Sequence, residues 1–137
     1  MSTWDGHAPA LDGNGFLASV QWKKRYVTKV AAYTCLSTES GTFFNMTGAT
    51  AAVTFTLPAI SEGPWHFEFF ASSAVAMTVT AGTADTMMTF NDLTADSVAF
   101  STASEIIGGR VLADCDGTSL FVNAIGVSHR QTATVAT

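Results

Sequence analysis

The chain predicts an all-β protein: a compact antiparallel sandwich or barrel with an extended N-terminal arm. Three observations carry this. Residues 51–79, AAVTFTLPAISEGPWHFEFFASSAVAMTV, contain three runs in which polar and apolar residues alternate with period two. Gly, Pro, Asn and Asp recur between similar short runs along the rest of the chain. Long helical patterns are absent.

The central stretch justifies its strands in order. Val53, Phe55 and Leu57 alternate with Thr54 and Thr56, and Pro58 removes a donor and restricts Leu57, so the ladder stops there. Trp65, Phe67, Phe69 and Ala71 alternate with His66, Glu68 and Phe70. Val75, Met77 and Val79 then alternate with Ala76 and Thr78. The short links predict that these three strands are neighbours in an antiparallel meander. Phe70 lies on the face opposite Trp65 and Phe67, so this sheet carries apolar residues on both sides.

Upstream, residues 1–17 have neither period and read as an extended arm, although Trp4, Phe16 and Leu17 are apolar enough to dock. Residues 18–25 fit a helical turn or the approach to a strand. Residues 26–36 have β-favouring composition with imperfect alternation, which predicts a bulge or a change of face. Turns follow at 37–41 and 45–50, around Phe43 and Phe44. Downstream, 86–90 and 97–101 read as short strands separated by a turn. In 101–109, Thr102 and Glu105 have capping-box spacing, yet the β-branched Ile106 and Ile107 favour a strand. Residues 110–127 form a hairpin turning at Asp116 and Gly117. The last residues pair as an edge strand or trail free. The organisation expected is an arm over 1–25 and one β domain over 26–137.

With 137 residues the chain is long enough for one domain with a core of its own. Charged residues are only 12%, about half the usual share. The polar surface must therefore be Thr, Ser, Asn and Gly, which suits a protein that packs against others. A net charge of −5 does not favour nucleic acid. The basic cluster Lys23, Lys24, Arg25 with Lys29 is a solvated junction or a contact for an acidic partner. No signal-peptide pattern is visible, and no apolar run of about 18 residues predicts a membrane span. Cys35 and Cys115 read as two buried thiols.

Catalytic patterns are missing. His7, His66 and His129 belong to no metal-binding spacing. Asp114 and Asp116 are the tightest carboxylate pair, but two oxygens donors are too few for calcium and Asp116 belongs to the turn. DGNG at 12–15 starts like a calcium loop and lacks the remaining ligands. There is no GxSxG elbow and no phosphate-binding glycine loop. The expectation is a non-enzymatic protein with no catalytic residues, no metal and no cofactor.

Residues 36–81, with their STESGTFF turn and AAVTFTLP, EGPWHFEFF and AMTVTAG runs, resemble a module of tailed-bacteriophage structural proteins. Head decoration (cement) proteins and some fibre proteins carry similar rhythms. The resemblance implies a tulip-like β body acting as a capsid decoration protein, a homotrimer bound to the major capsid protein. It would sit on the outer capsid surface of the virion after synthesis in the host cytoplasm, with no nucleic-acid or membrane partner. It further implies that Trp4, Leu11, Phe16, Trp22, Lys23, Lys24 and Arg25 form the capsid-binding arm. Phe43, Phe44, Phe70 and Met87 would be contacts between protomers. The alternative is a receptor- or glycan-binding module of a phage head or tail fibre. The lack of a coiled coil or a long repetitive shaft favours decoration.

Overall fold

The computed structural model describes residues 24–126 and 130–137, together with the backbone of Ala10–Leu11 and Leu17–Ser19. The alternating runs become strands wherever one set of side chains can be buried. In chain order these are β1 (Ala10–Leu11), β2 (Leu17–Ser19), β3 (Arg25–Thr28), β4 (Tyr33–Thr34), β5 (Thr42–Asn45), β6 (Val53–Thr56) and β7 (Trp65–Phe70). They continue with β8 (Met77–Thr80), β9 (Met87–Thr89), β10 (Asp92–Ala95), β11 (Ser97–Phe100), β12 (Arg110–Cys115), β13 (Leu120–Ile125) and β14 (Thr134–Ala136). The protein is predominantly β, with two mixed sheets. One sheet has seven strands, in the order β10-β9-β13-β12-β7-β5-β3, and the other five, in the order β14-β11-β8-β6-β4. β1 and β2 pair antiparallel as a small sheet of their own.

The first half of the body is wound rather than folded back. From β3 to β8 each strand crosses to the other sheet, so β3, β5 and β7 lie parallel in one and β4, β6 and β8 lie parallel in the other. This corrects the antiparallel meander expected for residues 51–79. β6 pairs parallel with β8, while β7 lies in the opposite sheet between β5 and β12. The links explain the difference. Residues 57–64 and 71–76 are longer than the two-residue turns that favour a tight hairpin, and Pro58 ends the first ladder before the chain can turn back on it. The second half is largely antiparallel. β12 and β13 form the hairpin expected at Asp116 and Gly117, and Gly117 supplies the positive φ of 93° that this turn requires. The C-terminal β14 pairs antiparallel with β11 as an edge strand.

Residues 101–109 form turns, not the strand expected of them. Ile106 is buried but Ile107 is 61% exposed, so the β-branched pair does not share one environment. Ser104 has a φ of 66° and Gly108 one of 95°, values foreign to an extended run. Gly109 lies against the Phe100 ring so closely that a Cβ there would come within 2.6 Å of it.

Both sheets turn an apolar face to a common core. Phe44 of β5 sits 5.6 Å from Phe55 of β6 and 5.6 Å from Phe69 of β7, and Phe55 is 4.9 Å from Phe69 (ring centroids). Val53, Met77, Val79, Val98, Phe100 and Val111 complete this interior with no exposed surface. The outward face of the five-stranded sheet is built from small residues. Thr34, Thr56, Thr80, Ser97 and Ala136 form one cross-strand row, and Thr54, Thr78, Ala99 and Thr134 form the next. Cross-strand Thr pairs favour the extended backbone and keep the face polar without charge.

The adjacent residues Phe43 and Phe44 test the two faces of β5. Phe44→Ala is expected to cost about 3–5 kcal/mol in a denaturant titration, against about 1 kcal/mol for Phe43→Ala, which loses chiefly ring-on-ring contact. Equal losses would contradict the assignment of faces.

Candidate interaction surface

The outward face of the seven-stranded sheet differs from the threonine face. Alternation in β3, β5 and β7 turns Tyr26, Phe43, Glu68 and Phe70 away from the core, and β12 presents Arg110 on the same side. Register brings them together: Tyr26 lies beside Phe43, Phe43 beside Glu68, and Phe70 beside Arg110. Tyr26 and Phe43 rings are 5.2 Å apart, and Phe43 and Phe70 stack at 6.1 Å. The Arg110 guanidinium lies 5.6 Å from the Phe43 centroid and 5.4 Å from that of Phe70. Glu68 receives Lys24 Nζ at 2.6 Å and Arg110 Nη1 at 3.4 Å on its two oxygens. Lys24 and Arg110 are partly exposed, so these ion pairs order the patch more than they stabilise the fold. Tyr26 is 66% exposed at one end of the strip, and Ile125 of β13, 43% exposed, lies beside Arg110 at the other. What results is a platform of aromatic faces with a zwitterionic rim, suited to stacking, cation–π contact and hydrogen bonding.

The residues singled out from the sequence are distributed differently than expected. Phe43 and Phe70 belong to this strip, but Phe44 and Met87 are fully buried in the chain's own core and present no surface to another protomer. Alternation on β5 and β9 decides this, because each places one of two adjacent large residues inside. Lys24 and Arg25 are described, and both are engaged within the body: Lys24 with Glu68, and Arg25 Nη2 with Glu39 at 3.8 Å. Arg25 also opens β3. Trp4, Phe16, Trp22 and Lys23 lie outside the described residues, and of Leu11 only the backbone, in β1, is described. His7, His129 and the DGNG segment also lie outside them. His66 is exposed on the outward side of β7. Asp116 caps its own turn, accepting the Thr118 and Ser119 N–H groups at 2.8 and 2.7 Å, and these bonds, Ser119's first, hold its carboxyl below the ordinary range.

Sequence reading did not single out Tyr26, Glu68 or Arg110 as partners. The alternation that turns Glu68 outward was visible, but the register that brings β3, β5, β7 and β12 side by side was not. It also missed a polar clamp beneath the edge of the winding. Glu39, 8% exposed, accepts Tyr33 Oη–H on both oxygens at 2.7 and 2.8 Å and the Leu36 N–H at 2.9 Å. Lys29 Nζ lies 3.8 Å from the Tyr33 ring centroid. Burial pushes the Glu39 carboxyl up, but the Leu36 and Tyr33 donors and the Arg25 charge outweigh it and hold the group below its ordinary value. Tyr33 is pushed up in turn, first by that hydrogen bond. Cys35 and Cys115 are both free and buried. Burial first, then the Glu39 charge, pushes the Cys35 thiol up to about 12.

Among the described residues no group of three or more His, Cys, Asp or Glu is placed to hold a metal ion. No helix among them is long and apolar enough to cross a membrane. A cavity of about 220 Å³ opens between Ala74, Ile106 and Ile107 with Glu105 at its side; Glu105 is engaged by the Thr132 hydroxyl. A second, of about 370 Å³, has Asp85 and Asp96 in its wall, and the Asp85 carboxylate accepts the Ile60 N–H at 2.9 Å. No protein-family model, no curated protein and no solved structure matches this chain.

The clamp makes acid stability measurable. Glu39 titrates below its unfolded value, so its contribution is complete above about pH 4.3 and is lost as pH falls through the folded value. Tyr33→Phe should cost about 1.5–3 kcal/mol near neutral pH, where the bond is to a charged acceptor. It should also flatten the acid limb of the stability profile; an acid limb unchanged from the parent would contradict the clamp. Both cysteines should resist a neutral-pH thiol reagent in the folded chain and react promptly in denaturant.

Proposed function

We propose that this protein is a viral capsid decoration, or cement, protein: a non-catalytic β body that binds the outer shell of an expanded head as a homotrimer and stabilises it by bridging major capsid subunits. The single observation that carries the reading is the aromatic strip on the outward face of the seven-stranded sheet, with Tyr26 66% exposed beside Phe43, and with Phe43 and Phe70 under Arg110. Exposed Tyr and Arg side chains are among the groups that dominate the energetics of protein interfaces. In this reading the two sheets are the layers of a sandwich, the tulip-like body suggested by the phage-module resemblance, and the strip faces a protein neighbour. The arm anchors narrow to Trp4, Leu11, Phe16, Trp22 and Lys23, since Lys24 and Arg25 already hold Glu68 and Glu39. Of the protomer contacts, Phe43 and Phe70 remain.

The mechanism is linkage. A trimer that binds assembled shell and not separated capsomers lowers the free energy of the shell alone. Three contacts on one trimer act together, because the second and third become intramolecular once the first has formed. The low charge of the chain suits a surface that must lose its water over a broad area.

A second reading has its own support. Tyr26 at the open end of an aromatic strip, with Glu68 and Arg110 at hand as hydrogen-bonding groups, also suits stacking on a sugar ring, as a receptor- or glycan-binding module of a phage head or fibre would need.

Purified expanded heads lacking any decorating protein should bind the chain in sedimentation and disassemble at a higher temperature once saturated. Tyr26→Ala should weaken that binding about tenfold, a loss of about 1.4 kcal/mol, with the melting temperature of the free protein nearly unchanged. Heads that neither bind the chain nor gain heat resistance would refute the decoration reading; binding to a glycan array that Tyr26→Ala abolishes would favour the second.

A further inference from the structure

Two apolar surfaces lie toward opposite edges of one sheet. The aromatic strip occupies the β3 side of the seven-stranded order, and the hairpin of β9 and β10 ends that order on the other side. This hairpin is built against a local preference. Phe90 and Asn91 form its tip with φ of 44° and 65°, the two positive values that a two-residue hairpin turn of this kind needs. Asn tolerates that backbone, but for a bulky residue such as Phe it is an outlier. Burial does not offset the strain, since Phe90 is 57% exposed. Leu93, three residues on, is 73% exposed, and Phe121 of β13, 45% exposed, lies beside Met88 of β9. An exposed aromatic ring held on a strained backbone is a feature of contact sites.

Charge separates the two edges as well. Residues 81–100 contain Asp85, Asp92 and Asp96 and no Lys, Arg or His. Asp85 and Asp96 flank the base of the hairpin. Asp92, next to its tip, accepts the Thr94 N–H at 2.9 Å and the Thr137 hydroxyl at 2.6 Å, and neither donor supplies positive charge. Around the strip, Lys24, Arg25, Lys29 and Arg110 stand against the carboxylates of Glu39 and Glu68, with Asp114 a row away beside His66. The balance there is positive. An acidic apolar finger and a basic aromatic platform are complementary, and the width of the sheet keeps them from meeting within one copy. We propose that the β9–β10 hairpin of one copy docks on the aromatic strip of a second copy, with Phe90 and Leu93 against Tyr26, Phe43 and Phe70. Such a contact joins two different patches, so repetition about a rotation axis closes it into a ring. It rests on the reading of the strip as a protein-binding face, and it needs no shell.

Sedimentation equilibrium of the full chain, without heads, should show an oligomer. Phe90→Gly removes the ring and suits the positive φ. It should weaken association about tenfold or more, while the melting temperature of the dissociated chain equals or exceeds the parent's. A photoreactive benzoyl-phenylalanine at position 90 should crosslink to peptides of another copy that hold Tyr26, Phe43 or Phe70, read by mass spectrometry on mixed light- and heavy-isotope chains. A chain that stays monomeric, an oligomer that Phe90→Gly leaves intact, or crosslinks from position 90 to its own copy or to any other part of the neighbour would each overturn the contact. Expanded heads separate it from the reading on which it rests. Heads bound by a monomeric chain would overturn the contact alone. An oligomer with the expected crosslinks that binds no head would uphold the contact and refute decoration.

Discussion

Phe44 stacked on Phe69, with Phe55 against both, is the contact on which the rest of the molecule depends. The three rings come from three consecutive strands, and those strands alternate between the sheets. The two crossings between these strands are therefore locked by Phe55, which meets a ring of the opposite layer on either side. Close packing leaves little freedom: one ring displaced would open a cavity lined by its two partners.

Once the core is fixed, period-two alternation commits the outer faces, and they differ in chemistry. The five-stranded sheet turns rows of Thr, Ser and Ala to the outside, where hydroxyls hold water without charge. The seven-stranded sheet turns out Tyr26, Phe43 and Phe70 under Arg110, with Glu68 tying Arg110 to Lys24. Lys24 and Arg110 both lie on this side, over aromatic rings and against the Glu68 carboxylate. One outer face is thus polar and nearly uncharged, and the other aromatic with paired charges.

The first turn of the winding is held by polar bonds where the core thins out. Glu39 gathers Tyr33, the Leu36 amide and Arg25, which joins the start of β3 to the link between β4 and β5. Lys29 covers the Tyr33 ring from the other side. A nearly buried carboxylate is tolerable there because its donors are built into the same short stretch of chain.

How far the sequence could be read is visible strand by strand. By itself it determined the all-β class, the inward sets Val53-Phe55 and Trp65-Phe67-Phe69, the outward position of Phe70, the Asp116-Gly117 hairpin and two buried thiols. Each of these is local: a period of two, a turn residue or the hydrophobicity of a single side chain fixes it. Only the tertiary structure decided that β6 and β7 lie in opposite sheets, that Phe44 and Met87 belong to the interior, and that Tyr26, Glu68 and Arg110 meet on one surface. Those outcomes depend on which strands pair and in what register, and pairing is selected by how the whole set of side chains fills the space between two sheets. No window of sequence contains that volume.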